Sequence, residues 1–141
     1  MNLPPDTEAR LLAAAREARG RAHAPYSRFA VGAALLDEQG RVHAGANIEN
    51  AAYPEGLCAE AVALAHLVMA GGRHVQAAAV IADSPEPVTP CGGCRQKLRE
   101  FGAADAPVLS GDPGTLRARY TLGQLLPASF GPQHLADDAA P

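Results

Sequence analysis

The chain has 141 residues, 48% apolar and 19% charged, a composition that excludes a disordered polar chain and can fill a core. A net charge of −3 argues against a nucleic-acid-binding protein, because proteins that depend on phosphate contacts carry a basic surplus. Three cysteines cannot all pair within the chain, which argues against a disulfide framework.

Helix and strand patterns alternate along the first half of the chain. Apolar residues on one face predict a helix at residues 7–22. A continuous apolar run at 29–36 predicts a strand buried on both faces, and a turn and second strand at 41–46 complete a hairpin. A polar loop at 47–56 precedes residues 57–70, which are apolar almost all round, as is typical of a buried helix.

The second half continues this alternation. A third buried strand is predicted at 75–82, and Pro90 begins a helix that runs through residue 100. Two short strands and a helical turn are predicted after it, at 107–110, 116–120 and 121–125. The pattern predicts an α/β fold, a three-layer α/β/α sandwich with a mixed five-stranded sheet. We expect residues 1–141 to form a single domain, with 137–141 a loose tail.

No segment predicts a secretory signal or a membrane span. The first residues lack a basic stretch followed by an apolar core. The longest apolar-rich run, residues 61–72, is far shorter than the ~20 residues that cross a bilayer. We therefore expect a soluble, cytoplasmic protein without a membrane partner.

All three cysteines fall at the starts of predicted helices. Cys58 opens one helix, and Cys91 and Cys94 lie three residues apart, on one face of the first turn of another. Helix N-termini stabilise thiolates, and converging thiolates are typical of zinc sites. Structural zinc sites use four protein ligands, whereas three ligands leave the open position of a catalytic site.

Two other interpretations of the cysteines are weaker. A histidine could supply a fourth ligand, but His66 lies about 12 Å along the helix from Cys58, and the other four histidines have no ligand-like spacing. A redox Cys91-Gly92-Gly93-Cys94 motif would leave Cys58 without a role.

Glu60 strengthens the catalytic interpretation. It lies two residues after Cys58, too displaced for a routine ligand and well placed to take a proton from a water that zinc has acidified. A helix-start acid stabilised by the helix dipole is the simpler alternative. The pairing of C-x-E with P-C-x-x-C is the zinc-deaminase signature, with Cys in the first His position.

The chain resembles the small, single-domain cytidine deaminases at these residues and at several other blocks. The resemblance covers nearly the whole chain to about residue 135. Its blocks are Cys58-Ala59-Glu60, Pro90-Cys91-Gly92-Gly93-Cys94-Arg95-Gln96, the segments 25–35 and 47–50, and the segment 125–132.

The resemblance implies a mechanism and its residues. Cys58, Cys91 and Cys94 would hold Zn²⁺, with water or hydroxide in the fourth position attacking C4 of the pyrimidine. Glu60 would carry the proton to N3 and then to the departing amine, which converts cytidine, and 2′-deoxycytidine, to the uridine product and ammonia in pyrimidine salvage.

The resemblance also implies substrate contacts and an assembly. Asn47 and Glu49 would hold the ribose hydroxyls, and Phe29 would contact the base. Family members are homotetramers, in which Phe130 would stack in a neighbouring subunit's pocket and Tyr53 would lie at a subunit contact. From the residues alone, Phe29 could equally be a core residue and Phe130 a tail anchor on its own subunit.

One position departs from the family. Members of this size commonly carry Arg directly after the catalytic Glu, where it hydrogen-bonds the thiolates, and this chain has Ala61. Three thiolates and a hydroxide on Zn²⁺ would sum to −2, which opposes ionisation of the water, so helix N-termini and other donors, such as Arg95, must offset more charge. We predict that Ala61→Arg lowers the acidic-limb pKa of kcat/KM, and an unchanged pH profile would contradict this.

Three alternatives stay open at this point. A deaminase of a modified cytosine nucleoside such as blasticidin S uses the same chemistry, and similar small enzymes also lack that Arg, although Asn47, Glu49 and the segment 129–132 favour cytidine. A zinc-stabilised interaction module would have no use for Glu60. Nucleic-acid editing is disfavoured by the acidic charge balance.

Overall fold

The structure, a computed structural model, describes residues 2–136, so the predicted tail at 137–141 lies outside the described residues. Helices and strands alternate within this range, as α1 Pro5–Arg19, β1 Val31–Asp37, β2 Val42–Ala46, α2 Ala59–Met69, β3 Val75–Ala82, α3 Gly92–Phe101, β4 Pro107–Gly111, β5 Leu116–Thr121 and α4 Leu122–Leu125. Single 3₁₀ turns occupy Tyr53–Glu55 and Pro132–His134. No helix in the described range is long and apolar enough to cross a membrane.

The strands form a mixed sheet in the order β2-β1-β3-β4-β5. β3 and β4 run parallel, and the other neighbouring pairs are antiparallel. The register places Ala33 of β1 opposite Gly45 of β2 and Val80 of β3. The predicted mixed five-stranded sheet is confirmed.

Helices cover both faces of this sheet. Along β1, Ala34 and Leu36 belong to the core cluster under α1, whereas Ala33 and Leu35 belong to the cluster under α2 and α3. Because successive side chains of a strand point to opposite faces, a strand covered on both sides must be apolar at every position. This explains the unbroken apolar run, and the predicted α/β/α sandwich is confirmed.

Two glycines bring helices onto the hairpin at close range. A Cβ on Gly32 of β1 would lie 2.0 Å from the Ala15 carbonyl oxygen of α1. A Cβ on Gly45 of β2 would lie 2.4 Å from the Ala63 backbone nitrogen of α2. The backbones of α1 and α2 therefore pack against β1 and β2 at positions where no other residue fits.

The prediction of α2 is wrong in its start and in its burial. Cys58 has extended backbone angles (φ −73°, ψ 154°) and caps the helix, so helical geometry begins at Ala59. Only one side of α2 is buried in the chain, and Met69 is 84% exposed on the other. An all-round apolar sequence predicts burial without distinguishing packing inside the chain from packing against a second chain.

The first strand and the first helix also differ from their predicted bounds. β1 begins at Val31 rather than Phe29, because the Asn47 side chain accepts a hydrogen bond from Val31 N–H and donates one to the Phe29 carbonyl. α1 spans Pro5–Arg19 rather than 7–22, since proline is favoured at the first helical position and the chain turns at Gly20.

Candidate active site

The three cysteines converge at the N-termini of α2 and α3. Cys58 caps α2, Cys91 caps α3, and Cys94 is the third residue of α3. Their Sγ atoms lie within 4.8 Å of one another, and the Cys58 and Cys91 Sγ atoms are 3.8 Å apart. Tetrahedral Zn²⁺ with bonds of about 2.3 Å needs Sγ–Sγ separations of about 3.8 Å, so the three residues fit zinc.

The electrostatics of the thiols also favour a cation. Among the protein groups alone, burial raises the pKa of Cys94, and the nearby charge of Glu60 raises it further. Burial raises the pKa of Cys58 as well. At Cys91 burial is outweighed by hydrogen bonds from the Cys94 backbone N–H and the neighbouring thiols, which lower the pKa. Burial thus disfavours the thiolate forms of Cys58 and Cys94 among the protein groups alone, and a bound cation would compensate their charge.

Glu60 lies beside this cluster in the first turn of α2. It is 5% exposed, and no side-chain hydrogen bond to it is found among residues 2–136. Burial raises the pKa of its carboxyl group above the usual range of glutamate. A raised pKa makes the ionised carboxylate a stronger base, which suits a group that accepts a proton from water and passes it on.

An open cleft of about 380 Å³ leads to these residues. Its volume falls in the usual range for small-molecule sites of about 300–1,000 Å³. Cys58, Glu60 and Cys91 are among its lining residues, together with apolar side chains that include Val31, Leu57 and Val88. The arrangement places a proton carrier and a candidate metal centre at one wall of an apolar cleft.

Asn47 and Glu49 line the cleft, and both also hold the chain segment that precedes β1. Asn47 bonds to Val31 N–H at 2.9 Å and to the Phe29 carbonyl at 2.8 Å. Glu49 accepts hydrogen bonds from the N–H groups of Tyr26 and Ser27 at 3.0 and 3.1 Å and from the Ser27 hydroxyl. Hydrogen bonds from Ser27 hold the pKa of Glu49 below its usual range. Each side chain keeps capacity for a further hydrogen bond.

The aromatic residues divide into two groups. Phe29 and Tyr53 line the cleft, and the Tyr53 ring lies 5.6 Å from that of Tyr26. Phe130 is 55% exposed, lies outside the set of residues that line this cleft, and stacks on His134 at 5.1 Å. The structure therefore brings together eight of the nine predicted site residues and leaves Phe130 apart.

The sequence did not identify Thr89 as a residue of the cleft, and it did not show which groups the Arg95 side chain contacts. Thr89 lines the cleft and directly precedes Pro90-Cys91 in the sequence. Its position next to this motif was the only sequence feature that pointed to a role in the site. The Arg95 guanidinium donates to Thr89 Oγ1 and to the carbonyls of Pro90 and Leu125, each at 2.7 Å. Arg95 thus stabilises the chain at the start of α3 by donating hydrogen bonds to three oxygen atoms.

Comparisons with known proteins identify the same family that the sequence motifs resemble. Residues 5–110 match the family described as the cytidine and deoxycytidylate deaminase zinc-binding region. The chain is 44% identical over 128 residues to the cytidine deaminase of Sporosarcina psychrophila, covering 90% of this chain and 93% of that one. It is 46% identical over 127 residues to that of Halalkalibacterium halodurans, covering 90% and 96%. The crystal structure of cytidine deaminase from Burkholderia pseudomallei superposes with a TM-score of 0.80 at 42% identity, covering 86% and 98%.

Proposed function

This chain belongs to the cytidine and deoxycytidylate deaminase family, and we propose on that basis that it hydrolyses cytidine to uridine and ammonia. The observation that carries the proposal is the buried Glu60 beside three converging thiols at the wall of a nucleoside-sized cleft. Hydrolytic deamination needs a proton carrier at this position, beside the metal site.

Cys58, Cys91 and Cys94 would hold the zinc ion, which supplies a Lewis acid that acidifies water. Glu60 takes one proton from the attacking water and delivers it to N3 of the pyrimidine. It then carries the second proton, from the hydroxyl newly formed on C4, to the leaving amine. One water is consumed, the C4–N bond breaks, and ammonia leaves as the C4 carbonyl forms. Burial in an apolar cleft raises the pKa of Glu60, which favours uptake of the water proton by the carboxylate.

The lining of the cleft supports the remaining substrate contacts of this proposal. Phe29 contacts the base, and Asn47 and Glu49 use their spare hydrogen-bonding capacity on the ribose. Binding through the 3′-hydroxyl would suit 2′-deoxycytidine equally, so we include it as a substrate. Ligand thiols persist in a reducing compartment, which supports a cytoplasmic role in pyrimidine salvage.

We extend the proposal to a homotetramer in which Phe130 enters the cleft of a neighbouring subunit. Large apolar residues are exposed on the single chain, among them Tyr53 at 74% and Met69 at 84%. Phe130 is also exposed and lies outside the lining of the cleft of its own chain. Exposure of this kind is typical of surfaces that a second copy covers, and Tyr53 would lie at such a contact.

The test is an ammonia-release assay with metal analysis of the same sample. Cytidine, deoxycytidine, dCMP, cytosine and blasticidin S form the substrate panel, and we expect turnover of the first two. Glu60→Gln should keep zinc and lose activity by about 10²–10⁴-fold, as for loss of a general acid–base. Glu55→Gln, an exposed acid in the preceding loop, is the matched control and should keep full activity. Zinc-loaded protein that leaves cytidine untouched would overturn the proposal.

Mixed assemblies test the shared site. Subunits with Glu60→Gln lack the proton carrier but keep Phe130, and subunits with Phe130→Ala have the reverse defect. After the two are mixed and reassembled, some clefts combine an intact Glu60 with an intact Phe130 from the other chain. Recovery of low-KM activity supports the shared site, and activity no greater than the sum of the two parents contradicts it.

A further inference from the structure

The outer part of α3 holds the C-terminal segment that carries Phe130. Arg99 donates from Nε to the Ser129 hydroxyl and from Nη2 to Gln133 Oε1, each at 2.8 Å. Gln96, one turn earlier on the same helix, donates to the Phe130 carbonyl at 2.9 Å. The guanidinium thus bridges residues on both sides of Phe130, and we call residues 129–134 the tail segment.

Gly131 provides the room for this bridge. A Cβ on Gly131 would lie 2.4 Å from Arg99 Cζ and Nη2 and 2.7 Å from Nη1. The φ of Gly131 is −154°, an extended conformation that any residue adopts, so its lack of a side chain matters for space alone. The guanidinium therefore lies directly against the backbone of the tail segment.

These contacts fix the direction of the Phe130 ring. Its carbonyl is held by Gln96, and its ring stacks on His134 with an interplanar angle of 13°. The His134 ring is held in turn, because its Nδ1 accepts a hydrogen bond from Gly131 N–H at 3.0 Å. The stacking on His134 orients the ring relative to the tail segment, and Arg99 makes two of the three side-chain hydrogen bonds that hold this segment to α3.

We propose that Arg99 is a positioning residue for deamination, which fixes the tail segment so that Phe130 is presented to the cleft of a second copy of the chain. The inference rests on the proposed function, in particular on Phe130 acting in the neighbouring cleft. Only a planar fork bonds Ser129 and Gln133 at once while lying flat on Gly131, so lysine does not replace arginine here.

The experiment compares steady-state kinetics on cytidine for Arg99→Lys, Arg99→Ala, Phe130→Ala and the double variant Arg99→Ala/Phe130→Ala. A lost stacking contact on the base raises KM with little change in kcat, by about tenfold for Phe130→Ala. Both Arg99 variants should raise KM by about threefold or more, because part of the same contact is lost. The double variant should match Phe130→Ala, since Arg99 acts only through that ring.

Two further variants separate positioning from general stability. Gly131→Ala leaves Arg99 in place but displaces its guanidinium, so it should raise KM as Arg99→Ala does. Arg21→Ala removes an equally long cation from an exposed pair with Glu17 and should change neither KM nor kcat. The melting temperature and elution volume of each variant show whether the tetramer is intact, and Arg99→Lys keeps the charge and the stem.

Each outcome has a defined meaning. If Phe130→Ala raises KM and the Arg99 variants do not, Arg99 has no positioning role although Phe130 keeps its function. An additive effect in the double variant also overturns the proposal, because Arg99 would then act elsewhere. If Phe130→Ala leaves KM unchanged, the shared cleft fails and the inference fails with it. Failure of the unaltered protein to deaminate cytidine rejects the proposed function itself.

Discussion

Asp37, a carboxylate buried at the end of β1, makes the stability of the hairpin depend on one charged cluster. The residue is 1% exposed. One carboxylate oxygen accepts from the N–H groups of Gln39 and Arg41 at 2.8 and 2.9 Å. The other accepts from Arg41 Nε at 2.7 Å and bonds to His43 Nε2 at 2.8 Å. Arg41 also donates to the Ala70 carbonyl, so the cluster ties the hairpin to the end of α2.

Asp37→Asn keeps the shape of the side chain, but with its oxygen on the two backbone N–H groups it turns an amide NH₂ group toward both Arg41 and His43. Hydrogen bonds to charged groups contribute about 1.5–3 kcal/mol and neutral ones about 0.5–1.5 kcal/mol. Losing one charged bond and weakening the other lowers the free energy of unfolding by about 3 kcal/mol at neutral pH. Glu38→Gln is the matched control. This neighbouring carboxylate is exposed and accepts from Arg73 N–H at 2.9 Å, so solvent screens it and its loss should cost much less stability than the loss of Asp37.

The difference between Asp37→Asn and the unaltered protein should depend on pH. Burial raises the pKa of Asp37, but hydrogen bonds from His43 and Arg41 outweigh it and hold the pKa well below the usual range. A carboxyl group with a depressed folded pKa stabilises the fold above its unfolded pKa of about 3.9. This stability is lost as the pH falls toward the folded pKa, by about 1.4 kcal/mol per pH unit.

The assay is urea denaturation of both proteins side by side, at pH values from about 7 down to about 3. Protein and zinc concentrations are kept equal, because binding to the folded state changes apparent stability. We expect a gap of about 3 kcal/mol that narrows below pH 4. A gap that stays constant down to pH 3, or that is no larger than for Glu38→Gln, would refute the argument.

Three other predictions concern the thiols, one strained residue and one helix contact. After chelation of zinc, Cys91 should react faster than Cys94 with a chromogenic disulfide reagent. Cys94 is 1% exposed and burial raises its pKa, whereas hydrogen bonds lower the pKa of Cys91. Equal rates of labelling in mass mapping would contradict this prediction. Ala128 has a φ of 50°, in the left-handed region that glycine adopts at lower cost, so Ala128→Gly should stabilise the fold by about 0.5–1 kcal/mol in thermal melts. The control Ala52→Gly, at φ −84°, should destabilise the fold in the same melts. Gly32→Ala should cost about 3 kcal/mol or more in urea unfolding because its Cβ would meet the α1 backbone, and a cost below 1 kcal/mol would show that α1 can shift freely.

The elements that could be predicted are those whose signal is local. β3 matches its predicted bounds because a run of eight residues that is apolar except at Gln76, between polar loops, is typical of a buried strand. The segment before β1 could not be predicted, because Asn47 and Glu49, about twenty residues further on, set its conformation. The exposure of Met69 on α2 was equally hidden, since composition does not show what covers a helix.

In the candidate site, too, local features could be predicted from the sequence and features set by distant contacts could not. Cys58 and Glu60 are two residues apart, and Cys91 and Cys94 three, so their grouping follows from helix geometry once two helix starts are recognised. That the two helix starts meet depends on the sheet order, which local patterns do not encode. The second task of Asn47, holding the backbone around Phe29, likewise needed the folded chain.

The two roles of α3 predict whether mutations in it are dominant or recessive. Its first turn carries Cys91 and Cys94, and its later turns hold the tail segment through Gln96 and Arg99. Under the proposed exchange of Phe130, a lesion that disrupts both ends of α3 in a chain that still assembles would disable the subunit that carries it and also weaken an intact neighbour. We expect such alleles to be dominant over a second, normal gene copy, whereas lesions that only unfold the chain, as at Gly32, are recessive because the damaged chain never joins an assembly.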